Sequence, residues 1–185
     1  MAATQPMIAE QVLLAYKFGK HRHILDVGGG EGAFLDAVGD RHPSLKRTLF
    51  DLPAVAERAR ARTGGAIEAI GGSFFDDPLP IGADIVTLIR ILHDHDDGPA
   101  QTLLNAIAAA LTPGDTLLIS EPMADTPGAK PMGEAYFGFY LHAMGSGRPR
   151  TAQDIGAMVK TAGFASWRAV STQLPLITRI IVATR

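Results

Sequence analysis

Five short, mostly apolar runs recur along this chain: "HILDV" (23–27), "RTLF" (47–50), "IEAI" (67–70), "DIVTLI" (84–89) and "TLLIS" (116–120). Runs of this length without polar alternation read as strands covered on both faces. Helical patterns fall between or after them at 32–39, 53–62 and 98–110. Strand and helix in alternation require crossover connections, so an α/β architecture with a mostly parallel sheet is expected. Met7, Ile8, Val12, Leu13, Leu14 and Tyr16 have helical spacing and predict a further helix over 5–18. Towards the other end a helix is predicted over 151–161. "ASWRAVST" and "LITRIIVATR", separated by a turn at Gln173–Pro175, read as two closing strands that add an antiparallel hairpin. That makes a seven-stranded sheet. Between the last parallel strand and this hairpin lies "DTPGAKPMGEAYFGFYLHAMGSGRPR", a Gly-, Pro- and Met-rich loop with a helix expected near 131–144, laid over the functional edge of the sheet. No internal repeat or linker divides the chain, so 1–185 is read as one domain.

Composition narrows the function classes. Hydrophobic residues make up 46% and charged residues 19%, a globular balance. With a net charge of −2 and no extended basic run, nothing marks a nucleic-acid partner. The absence of cysteine excludes disulfides, thiolate metal sites and thiol nucleophiles. The first eighteen residues lack a basic leader and are interrupted by Glu10 and Gln11, unlike a signal peptide. No apolar run approaches the roughly 20 residues that span a bilayer. A cytoplasmic protein is expected, with contact to a membrane surface left open.

"ILDVGGGEGAF" (24–34) sets glycines directly after the first strand and before a helix, where an open α/β sheet receives its ligand. Gly28, Gly30 and Ala33 satisfy a dinucleotide pattern, which keeps an NAD(P)-dependent oxidoreductase as an alternative. Asp26, Gly28, Gly30 and Gly32 equally satisfy acidic-x-G-x-G-x-G, the spacing of S-adenosylmethionine sites. Charge favours the second reading. Pyrophosphate needs a helix N-terminus free of carboxylates, whereas Asp26 and Glu31 suit the ammonium and sulfonium of S-adenosylmethionine. Asp51, in "FDLP" about twenty residues further on, stands where an acid meets ribose hydroxyls with either cofactor; it could instead serve the start of the next helix. "GGSFFDDPLP" follows the third strand, at the adenine edge, with Ser73 as a hydrogen-bonding group and Phe74 as an apolar wall.

"ILHDHDDGPA" (91–100) packs two histidines and three aspartates into five consecutive positions. His93, His95 and Asp97 begin a metallo-hydrolase signature, but Gly98 stands where it needs another histidine, so no metal is assigned. His93 follows a strand aimed at the same edge as the glycine loop and is suited to accept a proton. Glu121, at the end of the next strand, is placed to orient it. Asp96 and Asp97 read as acids opening a helix, and His95 has no assigned role.

Taken together, "LDVGGGEG", "FDLP", "GGSFFDDPLP", "IRILHDHDD", "ISEPM" and "RPRTAQDIGAMVKTAGF" resemble the S-adenosylmethionine-dependent O-methyltransferases of the caffeic acid and acetylserotonin type over nearly the whole chain. "EAYFGFYLHAMGSGRPRT" is most similar to the bacterial carotenoid hydroxyl O-methyltransferases among them. The resemblance implies a Rossmann-like methyltransferase fold. It further implies His93 as general base oriented by Glu121, and S-adenosyl-L-methionine held by Asp26, Gly28, Gly30, Asp51, Leu52, Gly72, Ser73, Phe74, Arg90 and Asp94. It points to methyl transfer to a hydroxyl of an apolar small molecule, a hydroxylated carotenoid above a phenol. Met123, Met132, Phe137, Tyr140 and Met144 are candidates for the acceptor wall, with ordinary core packing as the competing reading. The chain departs from the family in three ways. It lacks the acid often found in G-D-(M/F)-F, so adenine recognition would rest on Ser73 or backbone groups. Pro149 stands where plant members carry a second glutamate. Relatives also carry a helical N-terminal domain that makes them homodimeric, and this chain begins at the cofactor domain, so a cofactor-binding domain inactive without that part is the remaining alternative.

Overall fold

A computed structural model describes residues 4–127 and 147–185. Seven strands form one sheet: β1 (His23–Val27), β2 (Lys46–Asp51), β3 (Glu68–Gly71), β4 (Ile85–Ile89), β5 (Thr116–Glu121), β6 (Ser166–Val170) and β7 (Arg179–Thr184). Their order is β3-β2-β1-β4-β5-β7-β6. The first five are parallel; β7 runs antiparallel to both β5 and β6. After β1 the chain builds outward to β3, then returns to the other side of β1 with β4. This reversal opens a crevice beyond the C-terminal ends of β1 and β4, where side chains from two directions of winding meet.

Helices α1 (Gln5–Ala15), α2 (Ala33–Arg41), α3 (Pro53–Thr63), α4 (Asp97–Ala110) and α5 (Ala152–Thr161) cover the sheet. On one face Ile8 and Val12 of α1, Leu35 and Val38 of α2 and Ala56 of α3 pack on Ile24, Leu49 and Ile85. On the other, Leu103, Leu104 and Ile107 of α4 and Ile155 and Val159 of α5 pack on Leu25, Val86, Leu88 and Leu117. Every residue of β4 and β5 is buried, which explains their mostly apolar pattern. Burying one such aliphatic side chain is worth about 1.5–3 kcal/mol, so the central strands hold the site's framework. At the far edge, β6 is mostly exposed.

The expected fold class is present, with the first helix and the two closing strands shorter than their patterns: the strands cover Ser166–Val170 and Arg179–Thr184. The helix predicted over 5–18 ends at Ala15; Tyr16 is extended and Phe18–Lys20 form a separate 3₁₀ turn. Tyr16 turns its ring edge-on to Phe18 and its hydroxyl to His21 Nε2 at 2.7 Å, contacts a continuing helix would not allow. The predicted helix over 131–144 lies outside the described residues.

Candidate active site

The glycine loop leaves β1 through Gly28, whose amide donates to the Phe50 carbonyl of β2 at 2.8 Å. Gly28 has φ +73°, and a Cβ there would lie 2.6 Å from Ile91 Cδ1, so the loop touches the segment after β4 only because the side chain is hydrogen. Asp51, at the end of β2, accepts from the Gly30 amide at 2.8 Å through Oδ2 and from the Leu52 amide at 2.7 Å through Oδ1. One carboxylate thus links the loop to the start of α3.

Behind the loop, Asp26 is fully buried beside Thr87, its cross-strand neighbour on β4. Thr87 Oγ1 donates to Asp26 Oδ1 at 2.6 Å, whereas Oδ2 has no hydrogen-bond partner. Burial, partly opposed by that hydrogen bond, pushes the Asp26 carboxyl up to about 7. Asp26 lines a cleft of about 460 Å³ together with Gly28, Gly29, Gly30, Ile89, Arg90, Ile91 and Asp94. An orphaned carboxylate oxygen at such a position fits a cationic ligand, which would supply the missing partner.

A second cleft, of about 290 Å³, opens beside the first and shares Gly28, Ile91 and Asp94 with it. Its other walls are Asp51, Leu52, Gly72, Ser73, Phe74, Phe75 and His95. His95 meets Phe74 and Phe75 edge-on, with ring centroids 5.5 Å apart in each pair. Burial lowers its pKa despite the Asp94 charge, so it favours the neutral ring. Ser73 Oγ donates to Asp76 at 2.9 Å, and Asp77 accepts from the Ser73 amide.

After β4 the backbone turns sharply. Arg90 has φ +61°, a conformation rare for a residue with a side chain, and Leu92–Asp94 form a 3₁₀ turn. Glu121, 2% exposed at the end of β5, holds this turn. Its Oε1 accepts from the Ile91 and Leu92 amides at 2.8 Å each, and its Oε2 lies 2.5 Å from His93 Nδ1. The bond to Glu121 places a hydrogen on Nδ1, leaving Nε2, 3.2 Å from Asp94 Oδ1, as the nitrogen that gains or loses a proton. Burial lowers the basicity of His93, but the charge and hydrogen bond of Glu121, with the charge of Asp94, outweigh it and raise the pKa above its ordinary value. Arg90 lines the first cleft, and its buried Nε has no hydrogen-bond partner.

The two clefts therefore bring together ten of the sequence-derived candidates: Asp26, Gly28, Gly30, Asp51, Leu52, Gly72, Ser73, Phe74, Arg90 and Asp94. His93 and Glu121 pair next to Asp94. Met123 goes elsewhere: it is 6% exposed in the core cluster with Leu92 and Ile155 and lines neither cleft. Met132, Phe137, Tyr140 and Met144 lie outside the described residues. Asp96 stands at the N-cap of α4 and Asp97 in its first turn. Among the described residues no cluster of three or more histidine, aspartate or glutamate side chains could hold a metal ion.

Sequence reasoning missed His95 and Phe75 as walls, and Arg150, which enters the H-D-H-D turn from the other end of the chain. The spacing from His93 to His95 is a signal for the first: across a 3₁₀ turn, two residues apart point to different sides. No local signal exists for Arg150, whose partners lie more than fifty positions away.

Comparison with known proteins supplies an independent line. The family described as O-methyltransferase domain matches residues 1–165. Demethylspheroidene O-methyltransferase of Rhodobacter capsulatus is 44% identical over 187 residues, covering 100% of this chain and 47% of that protein. The protein of the same name from Cereibacter sphaeroides is 38% identical, covering 100% of this chain and 50% of its own length. The crystal structure of human N-acetylserotonin methyltransferase in complex with S-adenosylmethionine superposes with a TM-score of 0.85 at 29% identity, covering 96% of this chain and 51% of that one. The chain spans about half the length of the relatives it matches.

Proposed function

This chain belongs to the O-methyltransferase family, and from that premise we propose that it binds S-adenosyl-L-methionine and methylates a hydroxyl of an apolar small molecule, with His93 as general base. The observation that carries the reading is the buried His93–Glu121 pair beside Asp94, a residue that also lines both clefts. When bound, S-adenosylmethionine supplies a methyl group already activated on a sulfonium. The chain's own work is then to bind, orient and deprotonate.

Asp26 Oδ2 would face the cationic end of the cofactor, and Arg90 lines the same cleft. Asp51 would meet the ribose from the wall of the second cleft. Gly72, Ser73 and Phe74, with His95 and Phe75, enclose the adenine. Glu121 keeps the Nδ1–H of His93 engaged, so that Nε2 is the atom that takes the acceptor's hydroxyl proton. The Glu121 carboxylate then stabilises the imidazolium that forms. For a phenol, whose pKa lies near 10, this help is modest. An aliphatic hydroxyl resists ionisation more strongly, so its proton leaves as the methyl arrives, and the base matters more. The shared likeness to two demethylspheroidene O-methyltransferases supports a hydroxylated carotenoid as acceptor.

Calorimetric titration with S-adenosylhomocysteine, NADH serving as the competing ligand, tests this. Asp51→Ala is expected to abolish binding and His93→Ala to leave it near wild type while removing methyl transfer. Binding lost with His93→Ala and kept with Asp51→Ala, or a preference for NADH, would sink the reading. Tight binding without turnover by wild type would reduce it to a cofactor-binding domain.

A further inference from the structure

The Leu92–Asp94 turn is short and has few bonds of its own: the Asp94 and His95 amides reach the Ile91 and Leu92 carbonyls at 3.2 Å each. Glu121 secures its amide side. Its carbonyl side is held by a residue from the stretch before α5. The Arg150 side chain is 1% exposed, and its guanidinium donates to the Leu92 carbonyl at 2.7 Å and to the His95 carbonyl at 2.8 Å. The same group donates twice to Asp97 Oδ1, at 3.1 and 2.8 Å. Gly147, three residues earlier, adopts φ +87° directly against the turn; a Cβ there would stand 2.2 Å from the His93 carbonyl oxygen and 2.7 Å from the Asp94 carbonyl carbon. Its amide donates to Asp96 Oδ1 at 3.0 Å. Arg148 also pairs with Asp97, but it is exposed and touches no carbonyl of the turn.

We propose that Arg150 is a positioning residue: with Gly147 seated on the His93 carbonyl, its buried guanidinium clamps the Leu92–His95 turn from the side opposite Glu121 and so keeps His93 on Glu121. A planar guanidinium spreads its donors over three nitrogens in a fixed fork and here makes four bonds to two carbonyls and a carboxylate; an ammonium has three donors on one nitrogen and cannot make all four. Without it, the buried Leu92 carbonyl and the part-buried His95 carbonyl lose a strong donor and the turn opens. This rests on the proposed role of His93 as base, because only then does the turn's geometry govern chemistry.

The full chain tests it by proton NMR of the His93 Nδ1–H, which a short bond to Glu121 moves far downfield and which Glu121→Gln assigns by its loss. Arg150→Met and Gly147→Ala are expected to make that proton exchange with water at least ~10-fold faster, corresponding to easier local opening, with Arg150→Lys in between. Arg148→Met is expected to leave exchange unchanged. Wild-type exchange in folded Arg150→Met, or no downfield resonance in the wild type, overturns the proposal. If thermal melting shows that Arg150→Met does not fold, the Gly147→Ala exchange rate decides in the same way. A His93→Gln variant that still transferred methyl would refute the general-base reading while leaving the clamp itself intact.

Discussion

Replacing Asp26 with asparagine should stabilise the ligand-free protein at neutral and alkaline pH and have little effect in acid. The carboxyl is fully buried, and burial raises its pKa from 3.8 to about 7. For an acid raised on folding, the native state binds more protons than the unfolded state between those two values, so stability falls as pH rises through the window. About three units at 1.36 kcal/mol each gives roughly 4 kcal/mol of destabilisation above pH 7, an upper bound that relaxation around the site reduces. Asparagine keeps an oxygen for the Thr87 hydroxyl and has no charge to bury. For a domain of this size, 1 kcal/mol moves Tm by about 2–4 °C. The Asp26→Asn variant should therefore melt higher than wild type by roughly 5–15 °C at pH 8, with the difference vanishing towards pH 4. Thermal denaturation of both proteins from pH 4 to 8.5 measures this. A Tm difference that does not change with pH would refute the reasoning. A cation bound at Oδ2 reverses the balance: S-adenosylmethionine should protect wild type more than Asp26→Asn, and its binding near pH 6.5 should release protons.

The raised pKa of His93 predicts that kcat/KM climbs with pH through a value above the ordinary 6.5, since only neutral imidazole accepts a proton. Stability should move the other way, because a histidine raised on folding stabilises fully below its unfolded pKa and loses that contribution as pH rises through the folded one; chemical denaturation at pH 6 and 8 measures this in wild type against His93→Gln. Glu121→Gln should cost about 3 kcal/mol and lower the His93 pKa, because the buried carboxylate accepts three hydrogen bonds and its charge supports the imidazolium; urea unfolding and an NMR titration read the two effects. His95→Ala should weaken S-adenosylhomocysteine binding about 3–10-fold through loss of the aromatic wall shared with Phe74 and Phe75, and an unchanged Kd would remove His95 from the nucleoside cleft.

Local pattern in this chain carried whatever depends on neighbouring residues. Mostly apolar runs at β4 and β5 announced strands buried on both faces, because side chains of a covered strand meet protein on each side. The glycine loop announced its crevice because a strand ending in glycines before a helix permits close backbone approach. Candidates such as Asp26, Asp51, His93 and Glu121 were legible as strand-end residues aimed at a common edge. What each of them faces was not legible, since that depends on packing between strands distant in sequence. The pairing of Ile89 with Ser120 brings Glu121 alongside the H-D-H turn. The pairing of Asp26 with Thr87 leaves one carboxylate oxygen satisfied and the other without a partner. Met123 shows the same limit from the other side: a methionine after a strand suits a pocket or a core equally, and only the burial of the surrounding surface made it core. The role of Arg150 could not be read from the R-P-R-T stretch that contains it, because a buried guanidinium acquires its meaning from carbonyls that the fold brings to it across more than fifty residues.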